Sequence, residues 1–373
     1  MRKLALFLLS AVGGAALSAG AMVATYDAVT TANRRVPYSY SQFLFEQIPA
    51  PRIVVDAGSS SMFGIEPGLI EQAFRTPVID VADNGSIPLE MKIHRLLKYA
   101  RDGDTLILPL EWVYYTRDDM PQDFVDNTPD EYAAYYASLP WPDRLAFIVA
   151  HASLHNLSDA IRLFLRNDLA ESHYARIDMQ MSKWPLGDWK DDSRRRSSVE
   201  GISCAAYIAA SGRIVPQVEW AVRQLAELQA HRHVRVYLAW PAVAGRDCYD
   251  LKEGRLPLAQ EARALFERHG LAVVGEVEDS YFAPEHMLDT YYHVDSSAAH
   301  LRTERLIVGL EAAGLRPADG AEQPASTPEL AREALRNFQL RRARRVRLFG
   351  TIAKSEFGIP ARDARSAQVV RAR

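Results

Sequence analysis

The chain is poor in cysteine, in net charge and in long apolar runs. Its 373 residues include two cysteines, Cys204 and Cys248, which allow one disulfide at most. Neither their spacing nor the pair His151 and His155, which has helical i,i+4 spacing but no carboxylate nearby, favours a metal site. The net charge of −3 gives no reason to expect nucleic acid as a partner. Only one uncharged stretch, Leu4 to Thr25, approaches the length of a membrane span, which excludes a polytopic membrane protein.

The N-terminus predicts export. Met1-Arg2-Lys3 carries positive charge, an apolar stretch follows, and small residues end it, as in a signal peptide. Three glycines weaken the stretch as a membrane span, so residues 1–25 are either a cleaved signal peptide or an N-terminal membrane anchor. In both cases the body of the protein lies in the periplasm or cell envelope, tethered to the inner membrane if the helix is retained.

The hydrophobic pattern predicts an α/β domain. Short apolar runs predict strands at Ile53–Val55, Val78–Val81, Thr105–Leu110, Val234–Trp240 and Leu271–Val274. Stretches with helical character lie at Gly68–Phe74, Pro88–Ala100, Ile214–Ala230, Leu258–His269 and Ser296–Ala313. Alternation of strands and helices indicates a central parallel sheet with helical crossovers.

The predicted domain covers residues 26–315 and includes a helical insertion at about residues 120–230. Residues 316–328 are rich in Ala, Pro, Gly and Ser and predict a linker. Residues 329–373 predict a basic helical tail, which contains the run Arg341 to Arg347. That run is either a solvated helix face or a contact for an anionic lipid or polymer.

The most informative motif follows the first predicted strand. The strand Ile53–Val55 leads into Gly58-Ser59-Ser60-Ser61 and then into a helix start. Such a turn lifts a serine off the end of a sheet and leaves backbone N–H groups free at the helix N-terminus. A serine nucleophile and part of an oxyanion hole are built in such places. The alternative is a buried strand followed by a capped helix, because serine is a favourable N-cap.

A serine nucleophile needs a base, and the best candidate is His293. Asp289 precedes it by four residues, a spacing that lets the carboxylate reach Nδ1 and leaves Nε2 free to face a serine. Asp295 and His300 form a competing pair, but His300 falls within the pattern of the last helix.

Together these segments resemble the SGNH (GDSL-like) hydrolase superfamily, in particular an exported bacterial branch associated with exopolysaccharide O-acetylation. Gly58-Ser59 with Phe63-Gly64 is similar to the first block of that branch, and Asp289 to His293 is similar to its last. Thr303-Glu304-Arg305-Leu306 also resembles the branch, and the likeness extends over about Arg52 to Ala313. The better-known members place Asp three residues before His, whereas here the spacing is four.

The resemblance implies a flavodoxin-like three-layer fold and a catalytic triad of Ser59, His293 and Asp289. Ser59 is chosen over its two neighbours by the match at Gly58. The mechanism implies no cofactor and no metal. The oxyanion donors would be the N–H of Ser60 and that of Gly85, with Asn84 in place of a later asparagine block that is not recognisable.

The implied function is that of an exported serine O-acyltransferase or acyl (acetyl) esterase acting on a cell-surface or exopolysaccharide. A polysaccharide acceptor, an acyl donor and a multi-spanning membrane acyltransferase would be its partners. Trp112, Tyr114 and Tyr115 follow the third strand and either stack on sugar rings or pack against the insertion. The alternatives are a catalytically inactive scaffold in an envelope polysaccharide machine and a lipid-directed esterase.

Overall fold

The computed structural model places a five-stranded parallel sheet at the centre of the protein. It describes residues 2–33, 44–45, 48–82, 85, 87–117, 135–137, 139–151, 213–244 and 257–318. The strands of the sheet are β1 (Ile53–Val55), β2 (Val78–Asp80), β3 (Thr105–Leu108), β4 (Arg235–Leu238) and β6 (Ala272–Val273). Their order is β2-β1-β3-β4-β6, with every neighbouring pair parallel.

Helices cover both faces of this sheet, which confirms the predicted α/β class with a flavodoxin-like three-layer arrangement. The helices are α1 (Arg2–Asn33), α2 (Ser59–Gly64), α3 (Pro67–Phe74), α4 (Leu89–Tyr99), α5 (Trp112–Thr116), α6 (Trp141–His151), α7 (Pro216–His231), α8 (Pro257–Arg268) and α9 (Ser296–Ala312). Proline occupies the first turn of α3 and of α7, where its missing N–H costs nothing.

Alternating residues of each strand supply the two hydrophobic cores. In β1, Val54 faces the core formed with α4, α7 and α8, whereas Ile53 and Val55 face the core formed with α3 and α9. This period of two is what a strand buried on both faces requires. The apolar faces of the helices therefore pack on both sides of the sheet.

The sheet order creates a crevice at the carboxyl ends of β1 and β3. The chain leaves β1 towards β2 on one side, and β3 leads to β4 on the other. In open α/β sheets such a reversal point is where ligands bind. The serine turn follows β1 directly and therefore lies at this point.

A second, two-stranded parallel sheet stands beside the first. It pairs β5 (Val243–Ala244) with β7 (Tyr281–Phe282). Two short 3₁₀ helices, Val277–Ser280 and Pro284–His286, flank β7. This small sheet supports the segment that carries His293.

Helix α1 continues past residue 25 to Asn33, and Tyr26 and Asp27 on it contact the body of the protein. Tyr26 is buried, and its ring meets that of Tyr136 edge-on at 6.3 Å. Asp27 accepts a hydrogen bond of 2.6 Å from the Tyr136 hydroxyl. Within the residues described, no helix is both long enough and apolar enough to cross a bilayer.

Several predicted features fall wholly or mostly outside the described residues. They are most of the insertion at 120–230, the linker from 319 onwards, the basic tail, both cysteines, His155 and the side chain of His151. The predicted insertion also includes α7, which packs into the main core through Val218, Val222 and Leu225. This helix therefore belongs to the layers that cover the sheet.

Candidate active site

Of the three consecutive serines, Ser59 alone is open to a substrate. Ser60 and Ser61 are fully buried, whereas Ser59 is half-buried. The Ser60 hydroxyl accepts a hydrogen bond from the N–H of Ala242 at 3.0 Å, and the Ser61 hydroxyl donates to Asp80 at 3.4 Å. The Ser59 hydroxyl makes no hydrogen bond to any residue that the structure describes. The geometry therefore favours Ser59 as the nucleophile.

Three buried charged side chains hold the backbone of this turn. Lys92 Nζ, on α4, donates to the carbonyl of Ala57 at 2.7 Å. Glu111, which follows β3, accepts from the N–H groups of Gly58 and Ser60, each at 2.8 Å.

Arg302, on α9, completes the set. Its Nη1 donates to the carbonyl of Ser60 at 2.8 Å, and its Nη2 donates to that of Trp240 at 2.9 Å. Burial lowers the pKa of Arg302 to about 10, although the carboxylates of Glu111 and Asp80 oppose this shift. The arginine is thus still charged at neutral pH, and it ties the serine turn to the end of β4.

Two glycines of the serine motif make room for these charges. A Cβ on Gly58 would lie 2.4 Å from Glu111 Oε1, and a Cβ on Gly64 would lie 2.4 Å from Arg302 Nη1. Real Cβ atoms do not approach other atoms this closely, so a larger residue at either position would displace a buried charged side chain. Neither glycine has a positive φ.

The predicted base and its carboxylate are in contact. His293 Nδ1 and Asp289 Oδ1 are 2.6 Å apart. The Thr290 hydroxyl accepts hydrogen bonds from the N–H groups of Tyr292 and His293, both at 3.2 Å, and so closes the turn between the two residues. An antiparallel bridge between Met287 and Val294 fixes the ends of this loop.

The second imidazole nitrogen of His293 is available for chemistry. Nε2 is buried and has no hydrogen-bond partner among the described residues. Buried polar atoms in native proteins are rarely left unpaired, and a catalytic role is one of the explanations for an exception. The hydrogen bond from Nδ1 to Asp289 favours the tautomer in which Nε2 is the proton acceptor.

Helix α2 brings His293 to the same turn as Ser59. The rings of His293 and Phe63 stack with their centroids 4.1 Å apart. Phe63 lies four residues after Ser59 on this helix, so the two side chains are neighbours on one helix face. His293 and its partner Asp289 therefore lie beside the helix that begins at Ser59, and Ser59 Oγ and His293 Nε2 do not form a hydrogen bond. In unliganded enzymes catalytic hydrogen bonds are often long and tighten only when the substrate binds.

The N–H groups at the turn differ from the predicted oxyanion hole. The N–H of Ser60 donates to Glu111, so it is not free to bind an oxyanion in this structure. The N–H of Ser59 itself has no acceptor among the described residues and lies between the two N–H groups that Glu111 holds. Gly85 lies in a turn beyond β2, and its carbonyl accepts from Arg117 at 3.0 Å. Asn84 is outside the described residues.

The three aromatic side chains proposed for sugar binding are core residues. Trp112, Tyr114 and Tyr115 are at most 2 % exposed. Trp112 stacks on Trp240 with centroids 5.6 Å apart and contacts Tyr115 at the same distance. This burial is at odds with the predicted stacking on sugar rings, because protein neighbours already cover the ring faces.

The competing pair does not form. Asp295 caps α9 by accepting from the N–H of Ala298 at 2.9 Å, and it contacts His286 rather than His300. His300 instead faces Glu66 and Glu304, each at 3.5 Å. No group of three metal-ligating side chains occurs among the described residues.

Sequence reasoning missed Glu111 and Arg302. A signal for Glu111 was present, since it is a single carboxylate in the apolar run Leu108 to Trp112 at the end of a strand. A charge in such a position needs a buried partner. Arg302 gives no comparable signal, because charged residues surround it on a helix that is otherwise half exposed.

Comparison with known proteins adds little to these observations. No protein-family model matches the chain. No curated protein matches it either. Among solved structures it is similar to the crystal structure of YxiM from Bacillus subtilis, with a TM-score of 0.32, 12 % sequence identity and 71 % of this chain covered. The chain spans 57 % of the length of YxiM. The fold assignment therefore rests on the sheet order, and the functional assignment rests on the site itself.

Proposed function

We propose that the protein is an exported serine esterase or O-acyltransferase that handles acyl, in particular acetyl, esters of a cell-surface polysaccharide. The observation that carries this proposal is the pair Asp289 and His293, 2.6 Å apart, with a buried and unpaired Nε2 beside the helical turn that begins at Ser59. Export is inferred from the N-terminal sequence. The polysaccharide and a multi-spanning membrane partner come from the family resemblance.

In the proposed mechanism Ser59 Oγ attacks the acyl carbonyl and passes its proton to His293 Nε2. Asp289 stabilises the imidazolium that results. The imidazolium then protonates the leaving alcohol, and an acyl-serine remains. Water resolves the acyl-enzyme in an esterase, whereas a sugar hydroxyl resolves it in a transferase. The N–H of Ser59 replaces the predicted N–H of Ser60 as a donor to the oxyanion, and the predicted N–H of Gly85 remains the second donor.

Labelling with a fluorophosphonate and turnover of p-nitrophenyl acetate test the proposal. Ser59→Ala should abolish labelling, and Ser59→Ala and His293→Ala should each lower turnover by about 10³-fold or more. Ser297→Ala is the matched control, because Ser297 is an exposed serine at the start of another helix, and it should label like the wild type. Equal labelling of wild type and Ser59→Ala would refute the assignment of the nucleophile.

A non-catalytic scaffold remains the second candidate, because one observation favours it. Glu111 occupies the Ser60 N–H that was expected to bind the oxyanion. If the protein is a scaffold, the folded protein should neither react with the fluorophosphonate nor hydrolyse an acetyl ester. In a scaffold, Ser59→Ala should leave polymer acetylation in cells unchanged. In a transferase the same substitution should abolish acetylation, and in an esterase it should increase it.

A further inference from the structure

Glu111 is a buried carboxylate with no part in the mechanism described so far. Its two oxygens divide their hydrogen bonds evenly, since Oε2 accepts from Gly58 and Oε1 accepts from Ser60, each at 2.8 Å. These two residues stand immediately before and after Ser59. The carboxylate therefore accepts hydrogen bonds from the backbone on both sides of Ser59, and the N–H of Ser59 has no acceptor among the described residues.

The chemistry of the contact requires a carboxylate. The two N–H donors each bind a different carboxylate oxygen, whereas an amide of the same shape would present one oxygen and an NH₂ group that only donates. Burying a charge is costly unless partners compensate for it. The titratable groups that face Glu111 are Lys92 from α4, Tyr115 from α5 and Arg302 from α9.

We infer that Glu111 is a positioning residue, which holds the turn so that both the hydroxyl and the N–H of Ser59 face the acyl group. This inference rests on the proposed function. It explains why Gly58 lacks a side chain, since a Cβ there would displace the carboxylate. It also explains why a charge is buried at a sheet edge where an apolar residue would pack at lower cost.

The first test is Glu111→Gln, with Glu219→Gln as control, because Glu219 lies on the surface of α7. Glu111→Gln should lower kcat for p-nitrophenyl acetate by about tenfold or more at unchanged KM, because one of the two charged hydrogen bonds is lost. Hydrogen exchange of a peptide that spans residues 56–63 should become faster. The control should match the wild type in both measurements.

The pH profile separates positioning from a general structural role. Burial raises the pKa of Glu111 above its ordinary 4.5, although the N–H groups of Ser60 and Gly58 and the Lys92 ammonium oppose the shift. As the pH falls through this raised pKa, the carboxylate gains a proton and its hydrogen bonds to the N–H groups of Gly58 and Ser60 weaken. The wild type should therefore lose kcat/KM on an acid limb that Glu111→Gln lacks, while the limb due to His293 is common to both.

Gly58→Ala provides a second variant if Glu111→Gln does not fold. Its Cβ displaces the same carboxylate, so it should lower kcat by a similar factor. In the double variant Gly58→Ala/Glu111→Gln, the loss of kcat should be smaller than the two single losses combined, because both changes disturb the same contact. Activity of Glu111→Gln equal to the wild type, with Ser59→Ala inactive, would overturn the positioning role and leave the proposed function intact. Parallel loss of stability and activity without a change in the acid limb would also overturn it. Absence of turnover and labelling in the wild type would refute the proposed function and this inference with it.

Discussion

At the residue scale, Gly58 and Gly64 of the serine motif each pack against a buried charged side chain, Glu111 and Arg302 respectively. Gly64 is packed so closely that a Cβ would lie 2.4 Å from Arg302 Nη1 and 3.2 Å from Val294. We expect Gly64→Ala to lower the free energy of unfolding by about 1–3 kcal/mol, because the arginine must shift in a full core. Urea denaturation of the variant and the wild type measures this difference in the free energy of unfolding. Gly85→Ala is the control, since no atom of the described residues lies within 4 Å of a Cβ there, and its effect should stay within about 0.5 kcal/mol.

The same scale shows why the sequence reveals some site residues and hides others. Asp289 and His293 are close in the chain, so their spacing alone predicts the contact that is found. Glu111 is 51 residues from Ser60, and Arg302 is 242 residues from it. Contacts over such separations depend on the order of strands and helices in space, and the hydrophobic pattern of one sequence does not reveal this order.

At the element scale, the loop between Met287 and Val294 determines where the base lies. Thr290 is its internal brace, because one hydroxyl accepts from two backbone N–H groups. Thr290→Val keeps the shape and removes the acceptor, so we expect about 1–2 kcal/mol of local destabilisation. Hydrogen exchange of residues 287–294 should become faster, and esterase turnover should fall. Thr290→Ser restores the hydroxyl and should restore both, whereas equal exchange in all three proteins would contradict the bracing role.

Elements within a clear apolar run or hydrophobic period were predictable, and strands β5 and β7 were not. The predicted helix Pro88–Ala100 is found as Leu89–Tyr99, and the predicted strand Ile53–Val55 is found without change. Strands β5 and β7 have two residues each, and no longer apolar run marks them as Leu271–Val274 marks β6. The hydrophobic pattern therefore did not predict the two-stranded sheet that supports the loop with His293.

At the scale of the whole molecule, the N-terminal helix is part of the folded body. Its residues Tyr26 and Asp27 contact Tyr136, and the guanidinium of Arg144 lies 3.8 Å from the Asp27 carboxylate. These contacts lie beyond the predicted signal or anchor at residues 1–25. We therefore expect the helical segment around them to stabilise the domain whether or not the first residues are cleaved.

Two truncated chains test this division of α1. A chain that begins at Met22 keeps Tyr26 and Asp27, so its melting temperature should match that of the full chain. A chain that begins at Arg34 removes the buried Tyr26 ring and exposes the cluster around Tyr136 and Phe147. Loss of a buried aromatic ring costs about 3 kcal/mol or more, so this chain should melt several degrees lower. Asp27→Ala in the full chain should have a smaller effect in the same direction, since it removes only the polar contacts. Equal melting temperatures for the two truncated chains would show that the body folds without α1.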